Sequence, residues 1–385
     1  METPLAGIKI VELARILAGP WAGQTLADLG ATVIKIESPD GDDTRHWGPP
    51  FVEAEKETTA AYFHACNRGK LSIVADFNVP ADLDHVKDLI READVLIENF
   101  KVGGLARFGL DYATLKELNP RLIYCSITGF GQTGPYASRA GYDFIVQGMA
   151  GVMHLTGEPT GQPQKIGVAF ADVFTGLYSV IAIQAALALR ERTGLGQHID
   201  MALFDSMVGV LANQGMNYLA SGISPKRLGN AHPNIAPYQV FPVVDGDIII
   251  ACGNDSQFAK LTRILQVPET ATDPRFASNP SRVLNRDALT AILEQQTKRF
   301  ERDALLSELE RAGVPAGPIN DLNDVFNDPQ ILHRQMVLEN DGAPGIRTPI
   351  MFSAASLDTS RRSPRLGEHD NLLAGGWPEE NKQHD

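Results

Sequence analysis

The sequence predicts an α/β protein with a large domain built on a Rossmann-like parallel sheet and a smaller α+β domain. Strand-like and helix-like segments alternate through the first third of the chain. The strand-like segments are continuously apolar, which is typical of parallel sheets that helices cover on both faces. After residue 224 the pattern changes to a hairpin followed by amphipathic helices, which indicates a second domain.

The first third of the chain supplies the alternating elements. In chain order the predicted segments are strand 8–13, helix 21–30, strand 31–37, strand 72–77, helix 80–93, strand 94–100 and strand 122–131. Helical crossovers between strands make neighbouring strands parallel. We therefore expect one parallel sheet covered by helices on both faces.

The segment 141–222 is predicted to be mostly helical. Its longest helix candidate, 172–194, ends at Gly194 and is apolar nearly all round, so we expect it to be buried. A short strand at 196–202 and one further apolar helix at 203–222 follow.

The smaller domain begins with a polar, proline-containing connection. Asp245 and Gly246 separate two strand-like segments and are a strong signal for a hairpin turn. Three amphipathic helices follow, around 257–265, 287–300 and 301–313. The predicted organisation is a large domain at 1–224, a small domain at 225–330 and a C-terminal return to the large domain at 331–385.

Composition restricts the class of function. The 385 residues carry a net charge of -13, which disfavours binding to a phosphate backbone, so we expect no nucleic-acid partner. The start lacks a basic segment followed by a long apolar run, and the most apolar run, 179–189, is too short to span a bilayer. The three cysteines have no zinc-site spacing. We expect a cytoplasmic or organelle-matrix protein with reduced thiols, no membrane contact and no metal.

Common cofactor and catalytic motifs are absent from the sequence. The first strand is followed by ARILAGPWAGQ, which does not fit the GxGxxG of dinucleotide-binding folds. Glu37 stands where a ribose-binding acid would stand, but without the glycines a solvated strand end is the better interpretation. The sequence also has no GxxxxGK[ST], HExxH or GxSxG. The sequence therefore lacks the main motif of four enzyme classes: nicotinamide dehydrogenases, ATPases, zinc hydrolases and α/β-hydrolases.

Asp172 follows an apolar run and opens the longest predicted helix. One interpretation is an N-cap, because Asp accepts hydrogen bonds from the free N–H groups at a helix start. The other is a nucleophile, because a carboxylate at a helix N-terminus can attack a thioester while neighbouring N–H groups hold the developing oxyanion. Spacing alone favours the N-cap and leaves the nucleophile open.

Basic residues fall between apolar elements, at predicted strand ends or helix starts. Ligands of parallel sheets gather at the carboxyl ends of strands, so several such residues converging would suit a phosphorylated ligand. Taken singly, each residue is more often a solvated surface charge. These candidates are Arg15, Arg68, Lys70, Arg107 and Arg139.

The chain resembles the family III CoA-transferases, the CaiB/BaiF group that includes carnitine CoA-transferase and formyl-CoA transferase. The similarity runs from about Leu5 to about His369. The matching stretches are GIKIVELARILAGPWAGQTLADLGATVIKIE, NRGKLSI, ADVLIENFKVGGLARFGL, SITGFGQTGPYASRAGYD, ADVFTGLYS, RERTGLGQHIDMALFDS, VPAGPIN and PRLGEHD. Within the family the stretches DDTRHWGPPF, GNAHPNIAPYQVF and ACGNDSQFAKL are most similar to succinate–hydroxymethylglutarate CoA-transferase and related dicarboxylate CoA-transferases.

The resemblance implies a role for particular residues. It makes Asp172 the nucleophile, forming an anhydride and then an aspartyl–CoA thioester, with Tyr142 and Asp143 beside the acyl site. Because an unperturbed Asp has a pKa of about 3.9, we expect Asp172 to be ionised at neutral pH. The implied or candidate CoA- and substrate-binding residues are Arg15, Leu17, Ala18, Lys70, Ala75, Asn99, Phe100, Arg107, Phe108, Arg139, Tyr142 and Asp143.

The resemblance also implies the substrates and the assembly. CoA would move from succinyl-CoA to a small carboxylic acid such as glutarate, hydroxymethylglutarate or itaconate, with CoA thioesters as substrates and no permanently bound cofactor. The subunits would form an interlocked homodimer. Recognition of a dicarboxylate needs a second cationic group near the nucleophile, for which Arg15, Arg45 and Arg139 are candidates.

Some residues of this chain differ from the patterns of particular family members, and these differences bear on the alternative functions. Oxalate-using members carry a glutamine in place of Leu17 and a glycine-rich flap in place of CGNDSQ, which disfavours an oxalate or formyl-CoA role. A 2-methylacyl-CoA racemase needs a histidine where this chain has Tyr142, so it would lack its second proton carrier. A non-catalytic acyl-CoA-binding protein would need no aspartate at position 172.

Overall fold

The computed structural model describes residues 2–54 and 57–378, and the chain divides into two compact units. The first unit contains the residues through Val152, Lys165–Gly222 and the residues from Pro329 onward. The second contains Met153–Gln164 and Ile223–Asp328. The segment 153–164 therefore belongs to the second unit, although the sequence placed it in the large domain.

The first unit begins with alternating strands and helices. Short 3-10 helices lie at Asp43–His46 and Ala106–Phe108. In chain order the strands and α-helices up to residue 222 are β1 (Lys9–Glu12), α1 (Ala18–Asp28), β2 (Thr32–Glu37), β3 (Phe51–Ala54), β4 (Glu57–Ala60), α2 (Ala61–His64), β5 (Leu71–Val74), α3 (Pro80–Glu92), β6 (Val95–Glu98), α4 (Tyr112–Leu118), β7 (Ile123–Thr128), α5 (Asp143–Met149), α6 (Val152–Leu155), α7 (Phe170–Thr193), β8 (His198–Ala202), α8 (Leu203–Gly209) and α9 (Ala212–Ser221).

A parallel sheet organises the first unit. Within the described residues it has six strands in the order β5-β2-β1-β6-β7-β8, and each neighbouring pair is parallel. Ile10 of β1 packs in a core with α1 and α7, whereas the next residue, Val11, packs in a core with α3 and α4. Both faces are therefore buried, and the predicted α/β fold class is confirmed.

Helix α7 is the longest helix of the described chain and packs against α1, α5, α8 and β7. It ends where Gly194 takes a φ of +74°, a conformation that glycine adopts without strain. The expectation of complete burial is wrong, since Ile181 has 62% of its surface exposed within this single chain. Among the described helices, α7 alone has the length and apolar composition of a bilayer-spanning helix, and core helices of soluble proteins pass the same test.

The single helix predicted at 203–222 is two helices, α8 and α9. The break falls at Val210 and Leu211, and Ala212 then takes a φ of +46°. A non-glycine residue with positive φ interrupts helical hydrogen bonding. The sequence signal near the break, Gly209 at the end of α8, was not used in the prediction.

The second unit has its own apolar core, which contains Phe241, Phe258 and Leu309. In its described part β10 pairs antiparallel with both β9 and β11, and Asp245 lies at the predicted hairpin turn. A 3-10 helix lies at Pro268–Ala271. Its strands and helices are β9 (Tyr238–Val243), β10 (Gly246–Ala251), α10 (Asp255–Ile264), α11 (Asn279–Leu284), α12 (Arg286–Thr297), α13 (Arg302–Ala312), β11 (Ala316–Pro318) and α14 (Leu322–Asn327).

The chain from Pro329 to Pro378 packs with the first unit. Its elements are α15 (Pro329–His333), the antiparallel pair β12 (Val337–Asn340) and β13 (Ala343–Ile346), and α16 (Asn371–Gly375). The His369 N–H donates to the Ser72 carbonyl at 2.9 Å, and the Val74 N–H donates to the Asp370 carboxylate at 2.8 Å. The C-terminal segment therefore covers β5, the edge strand of the sheet. Residues 379–385 lie outside the described chain.

Candidate active site

A cavity of about 560 Å³ lies at the carboxyl ends of β1, β6 and β7 in the first unit. Its walls come from the segments 15–18, 99–104, 127–129 and 137–143, and Asp172 of α7 joins them. Carboxyl ends of parallel strands meet at one edge of a sheet, and ligands of α/β proteins bind in the crevice outside that edge. The strand order therefore explains why these distant segments share one cavity.

Most of the residues proposed from the sequence line this cavity. Lys70 and Ala75 do not, and neither do Arg45 and Arg68. Those that line it are Arg15, Leu17, Ala18, Asn99, Phe100, Arg107, Phe108, Arg139, Tyr142, Asp143 and Asp172.

The remaining candidates are engaged elsewhere. The Lys70 ammonium lies 2.9 Å from the Glu12 carboxylate, and both side chains are fully buried. Arg68 forms a buried ion pair with Asp28. Arg45 binds Glu37 at 2.7 Å, which also corrects the interpretation of Glu37 as a solvated strand end. Ala75 is 3% exposed in the core beside α3.

Asp172 lies in the first turn of α7, three residues after the N-cap Ala169, so it is not the N-cap itself. Within the described residues its carboxylate accepts no hydrogen bond. Burial, and after it the negative charge of Asp143, raises the pKa of Asp172 to about 7. The Asp172 pKa is therefore raised above the unperturbed value of about 3.9 that was assumed from the sequence. A carboxylate without hydrogen bonds from the protein is a stronger nucleophile than a hydrogen-bonded one.

Asp143 has the opposite environment from Asp172. One oxygen accepts a hydrogen bond from the Ala171 N–H at 2.8 Å, and the other accepts one from the Gln147 side chain at 2.8 Å. The fully buried Gln147 in turn accepts the Ile166 N–H at 2.9 Å. Asp143 therefore ties the start of α5 to the start of α7 and fixes the position of Asp172.

The wall formed by residues 15–18 is held against the wall formed after β6. The Arg15 N–H donates to the Asn99 side-chain oxygen at 2.9 Å, and the Asn99 side-chain nitrogen donates to the Arg15 carbonyl at 2.7 Å. Ala18 then begins α1, whose first turn contains no acidic residue. The partial positive charge of that helix N-terminus is therefore not neutralised by its own side chains.

Three arginines line the cavity. Arg107 stacks over Phe108 at 4.4 Å, and Arg139 stacks over Tyr136 at 4.0 Å. Arg15 pairs with Asp43 at 3.0 Å, and both side chains are about half exposed. These cations can bind phosphate or carboxylate groups, and the stacked aromatic rings offer a surface for a nucleobase.

Sequence reasoning missed Tyr62. Burial, and after it the charge of Asp172, raises the pKa of Tyr62 to about 12, so its hydroxyl stays a hydrogen-bond donor near the nucleophile candidate. Its position after a stretch without periodicity gave no signal.

Sequence reasoning also missed the contact between Gly129 and Gly141. A Cβ atom added to Gly129 would lie 2.4 Å from the Gly141 Cα, so the two backbones pack directly on each other. The glycines of SITGFG and AGYD were a usable signal for such an approach. Among the described residues no group of His, Cys, Asp or Glu has the arrangement of a metal site.

Comparison with known proteins agrees with this geometry. Residues 5–370 match CoA-transferase family III. The chain is 58% identical to succinate–glutarate CoA-transferase of Agrobacterium fabrum, over 96% of this chain and 94% of that protein. It is 42% identical to human succinyl-CoA:glutarate CoA-transferase, over 95% of this chain and 84% of that protein.

A solved structure of a CaiB/BaiF family protein from Brucella suis has the same fold. Its TM-score is 0.89 at 67% identity, and the match covers 97% of this chain and 99% of that chain. The cavity at the carboxyl edge of the sheet, the coverage of the family match and this shared fold lead to one conclusion: the chain belongs to CoA-transferase family III.

Proposed function

We propose that this CoA-transferase moves CoA from succinyl-CoA to a dicarboxylate, with glutarate as the first candidate and Asp172 as the covalent nucleophile. The observation that carries the proposal is the Asp172 carboxylate, which lies in the cavity without a hydrogen bond from the described chain and has a raised pKa. Two relatives, at 58% and 42% identity, bear names that pair succinate or succinyl-CoA with glutarate.

Over the whole proposed reaction, one thioester is broken and one thioester is formed. The ionised Asp172 attacks the thioester carbonyl, and CoA leaves as a thiolate while a mixed anhydride forms. The thiolate attacks the aspartyl carbonyl, which releases succinate and leaves an aspartyl–CoA thioester. The acceptor carboxylate attacks that thioester, a second anhydride forms, and the thiolate attacks its acyl carbonyl to give the new acyl-CoA and free Asp172. The steps therefore balance in atoms, protons and electrons without any further reactant.

Two helix N-termini support the charge changes in this sequence. Asp172 lies in the first turn of α7, and Ala18 opens α1 at the same cavity. N–H groups at helix starts stabilise negative charge. Because the Phe170 and Ala171 N–H groups of α7 already donate to other groups of the chain, the N–H groups at the start of α1 are the ones proposed to favour the oxyanions of both acyl transfers. Water must be excluded, because it would hydrolyse the anhydride and the thioester.

The arginines and aromatic rings of the cavity suit the two substrates. Arg107 and its stacked neighbour Phe108 are proposed to bind a phosphate and the nucleotide of CoA, with Phe100 beside them. Arg139, or Arg15 after release from Asp43, is proposed to bind the distal carboxylate of the acceptor. Lys70 and Ala75 are withdrawn from the proposed binding set because they lie outside the cavity.

The acceptor has to be tested against relatives of other specificity. A relative at 42% identity is named acetyl-CoA:oxalate CoA-transferase, and one at 38% is named succinyl-CoA:mesaconate CoA-transferase. Glutarate is favoured because the 58% identical relative names it. Turnover should therefore be measured with glutarate, hydroxymethylglutarate, itaconate, mesaconate and oxalate in parallel.

The nucleophile is tested by mass spectrometry of the enzyme incubated with succinyl-CoA and then trapped with hydroxylamine. We expect an adduct on the peptide that contains Asp172, its loss in Asp172→Ala, and its retention in Asp205→Ala, which removes an aspartate that does not line the cavity. An unmodified peptide together with exchange of the substrate α-proton in deuterium oxide would instead establish a racemase. Neither adduct nor exchange, with CoA still bound, would establish an acyl-CoA-binding protein.

We also propose that the enzyme works as an interlocked homodimer in the cytoplasm. The apolar side chains that α7 and α9 leave exposed support a partner of the same chain. The three cysteines are buried and unpaired, which suits a reducing compartment.

A further inference from the structure

Four charged side chains form a fully buried cluster in the first unit: Glu12, Lys35, Asp42 and Lys70. The Lys35 ammonium lies 3.2 Å from Glu12 and 2.9 Å from Asp42, and the Lys70 ammonium lies 2.9 Å from Glu12. All four side chains have no exposed surface. Burying ions costs several kcal/mol for each charge, and hydrophobic replacements are often as stable, so stability alone does not account for the cluster.

The cluster contacts the backbone that runs from the end of β1 into the first turn of α1. This segment, residues 14–20, is called the connecting segment and includes the cavity wall beside Asp172. The cluster holds it at its start, middle and end. The contacts are Lys35 Nζ donating to the Ala14 carbonyl at 2.7 Å, the Ile16 N–H donating to the Asp42 carboxylate at 3.3 Å, and Lys70 Nζ donating to the Pro20 carbonyl at 2.9 Å.

The middle of the connecting segment is strained. Ile16 takes a φ of +74°, and among the described residues with positive φ it is the only β-branched one. The left-handed region is a genuine outlier for such a side chain and is unfavourable, so surrounding contacts must hold it. Ile16 itself and the next two residues, Leu17 and Ala18, line the cavity with Asp172.

We propose that Asp42 and Lys35 are positioning residues for CoA transfer: their buried ion pair holds Ile16 in the left-handed conformation and so fixes the Leu17–Ala18 wall of the active site. The proposal rests on the CoA-transferase activity of the chain and on this cavity being its active site. It does not depend on which group is the nucleophile. Neither residue touches the cavity, so neither is a catalytic residue.

The charge state of the pair suits this role. Burial would lower the pKa of Lys35, but the charges of Glu12 and Asp42 outweigh it and raise that pKa. Burial would raise the pKa of Asp42, but Lys35 outweighs it and lowers that pKa. Both groups therefore stay charged at neutral pH, and the hydrogen bond from the Ile16 N–H goes to a full negative charge.

The test compares CoA transfer from succinyl-CoA to the acceptor with the highest turnover between wild type and the Asp42→Asn variant. This substitution keeps the shape of the side chain and removes its charge. The expected result is a roughly ten- to hundredfold loss of kcat per folded molecule with a smaller change in KM, because a displaced wall misplaces the reacting groups. Asp28→Asn is the matched control, since Asp28 is equally buried in an ion pair but does not contact the connecting segment. It should lose thermal stability and keep kcat.

A second pair of variants isolates the backbone strain. Glycine adopts positive φ without a steric cost, so the kcat loss caused by Asp42→Asn should shrink at least threefold in an Ile16→Gly background. In an Ile16→Ala background the loss should persist, because alanine still resists that conformation. If Asp42→Asn does not fold, Asp42→Glu provides the same comparison with the charge retained and the carboxylate displaced. A kcat within twofold of wild type for both Asp42 variants, or equal losses in the glycine and alanine backgrounds, would overturn the proposal.

Discussion

Asp143 and Asp172 differ in what their carboxylates contact, although both lie at helix starts in one cavity. Asp143 accepts hydrogen bonds from the Ala171 N–H and from Gln147, whereas Asp172 accepts none within the described chain. The first arrangement suits a fixed anion and the second a reactive one. In the proposed mechanism Asp143 would therefore position the helix start and Asp172 would attack the thioester.

The raised pKa of Asp172 predicts a pH dependence of catalysis. If ionised Asp172 attacks the thioester, kcat/KM for succinyl-CoA should rise as the pH increases through about 7 and become constant above it. Asp143→Asn removes the nearby negative charge, so the rise should move to lower pH, although burial, the larger cause, keeps it above that of an ordinary Asp. Asp84→Asn, an exposed substitution on α3, should leave the curve unchanged. A rise unmoved by Asp143→Asn would contradict this assignment.

The same pKa predicts an effect on stability. The folded state holds the Asp172 proton up to pH about 7, whereas the unfolded state releases it near the ordinary Asp pKa of 3.8. Folding is therefore progressively penalised as pH rises from about 4 to about 7, by at most about 4 kcal/mol. Asp172→Asn lacks this penalty, so urea unfolding should show it more stable than wild type at pH 8, with little difference at pH 4. An equal difference at both pH values would refute the raised pKa.

At the scale of elements, α1 and α7 pack closely enough to set the geometry of the cavity. A Cβ atom added to Gly176 of α7 would lie 2.7 Å from the Ala18 carbonyl oxygen and 3.1 Å from the Trp21 Cβ. Those atoms belong to the first turn of α1, so they cannot move without moving the helix. Helix packing at this point and the placement of Leu17 and Ala18 in the cavity are thus one structural feature.

Gly176→Ala should therefore destabilise the protein by about 1–3 kcal/mol, the usual cost of overpacking, despite the better helix propensity of alanine. It should also lower kcat, because α1 is pushed away from α7. Gly209→Ala on α8 is the control, since a Cβ atom there meets nothing within 4 Å. Chemical denaturation and steady-state kinetics of the two variants provide the comparison, and equal behaviour would show that the contact is unimportant.

Sequence patterns located the elements better than they located interruptions. Long apolar strands such as β2 and the glycine after α7 were clear signals, because burial and left-handed geometry restrict residue choice. The break before Ala212 was not predicted, because alanine favours helices and its residue type gives no sign of a positive φ. Lys70 looked like a ligand-binding cation because its partner Glu12 lies 58 residues away, and only the fold brings them together.

At the scale of the molecule, the candidate site depends on the order of strands in the sheet. Arg15, Asn99, Arg139 and Asp172 come from four separate parts of the chain, and the sheet brings their loops to one edge. Arg15 and Arg139 were candidates because of their places between apolar segments, whereas the family resemblance supplied Asn99 and the role of Asp172. Neither residue spacing nor the family resemblance could predict the raised pKa of Asp172, because this pKa depends on burial and on the nearby charge of Asp143 in the folded chain.

The exposed apolar surface of α7 and α9 leads to a prediction about assembly. Ile181 is 62% exposed and Leu219 is 74% exposed, which is unusual for large apolar side chains unless another surface covers them. If that surface is a second copy, light scattering should give twice the 41.7 kDa chain mass. Ile181→Glu should shift the mass toward that of one chain, because a buried unpaired charge opposes association. Lys226→Glu, a charge change on the second unit, is the control for altered charge alone. A single-chain mass for wild type would rule out the proposed homodimer and would leave the cavity of the first unit, and the nucleophile proposed there, unaffected.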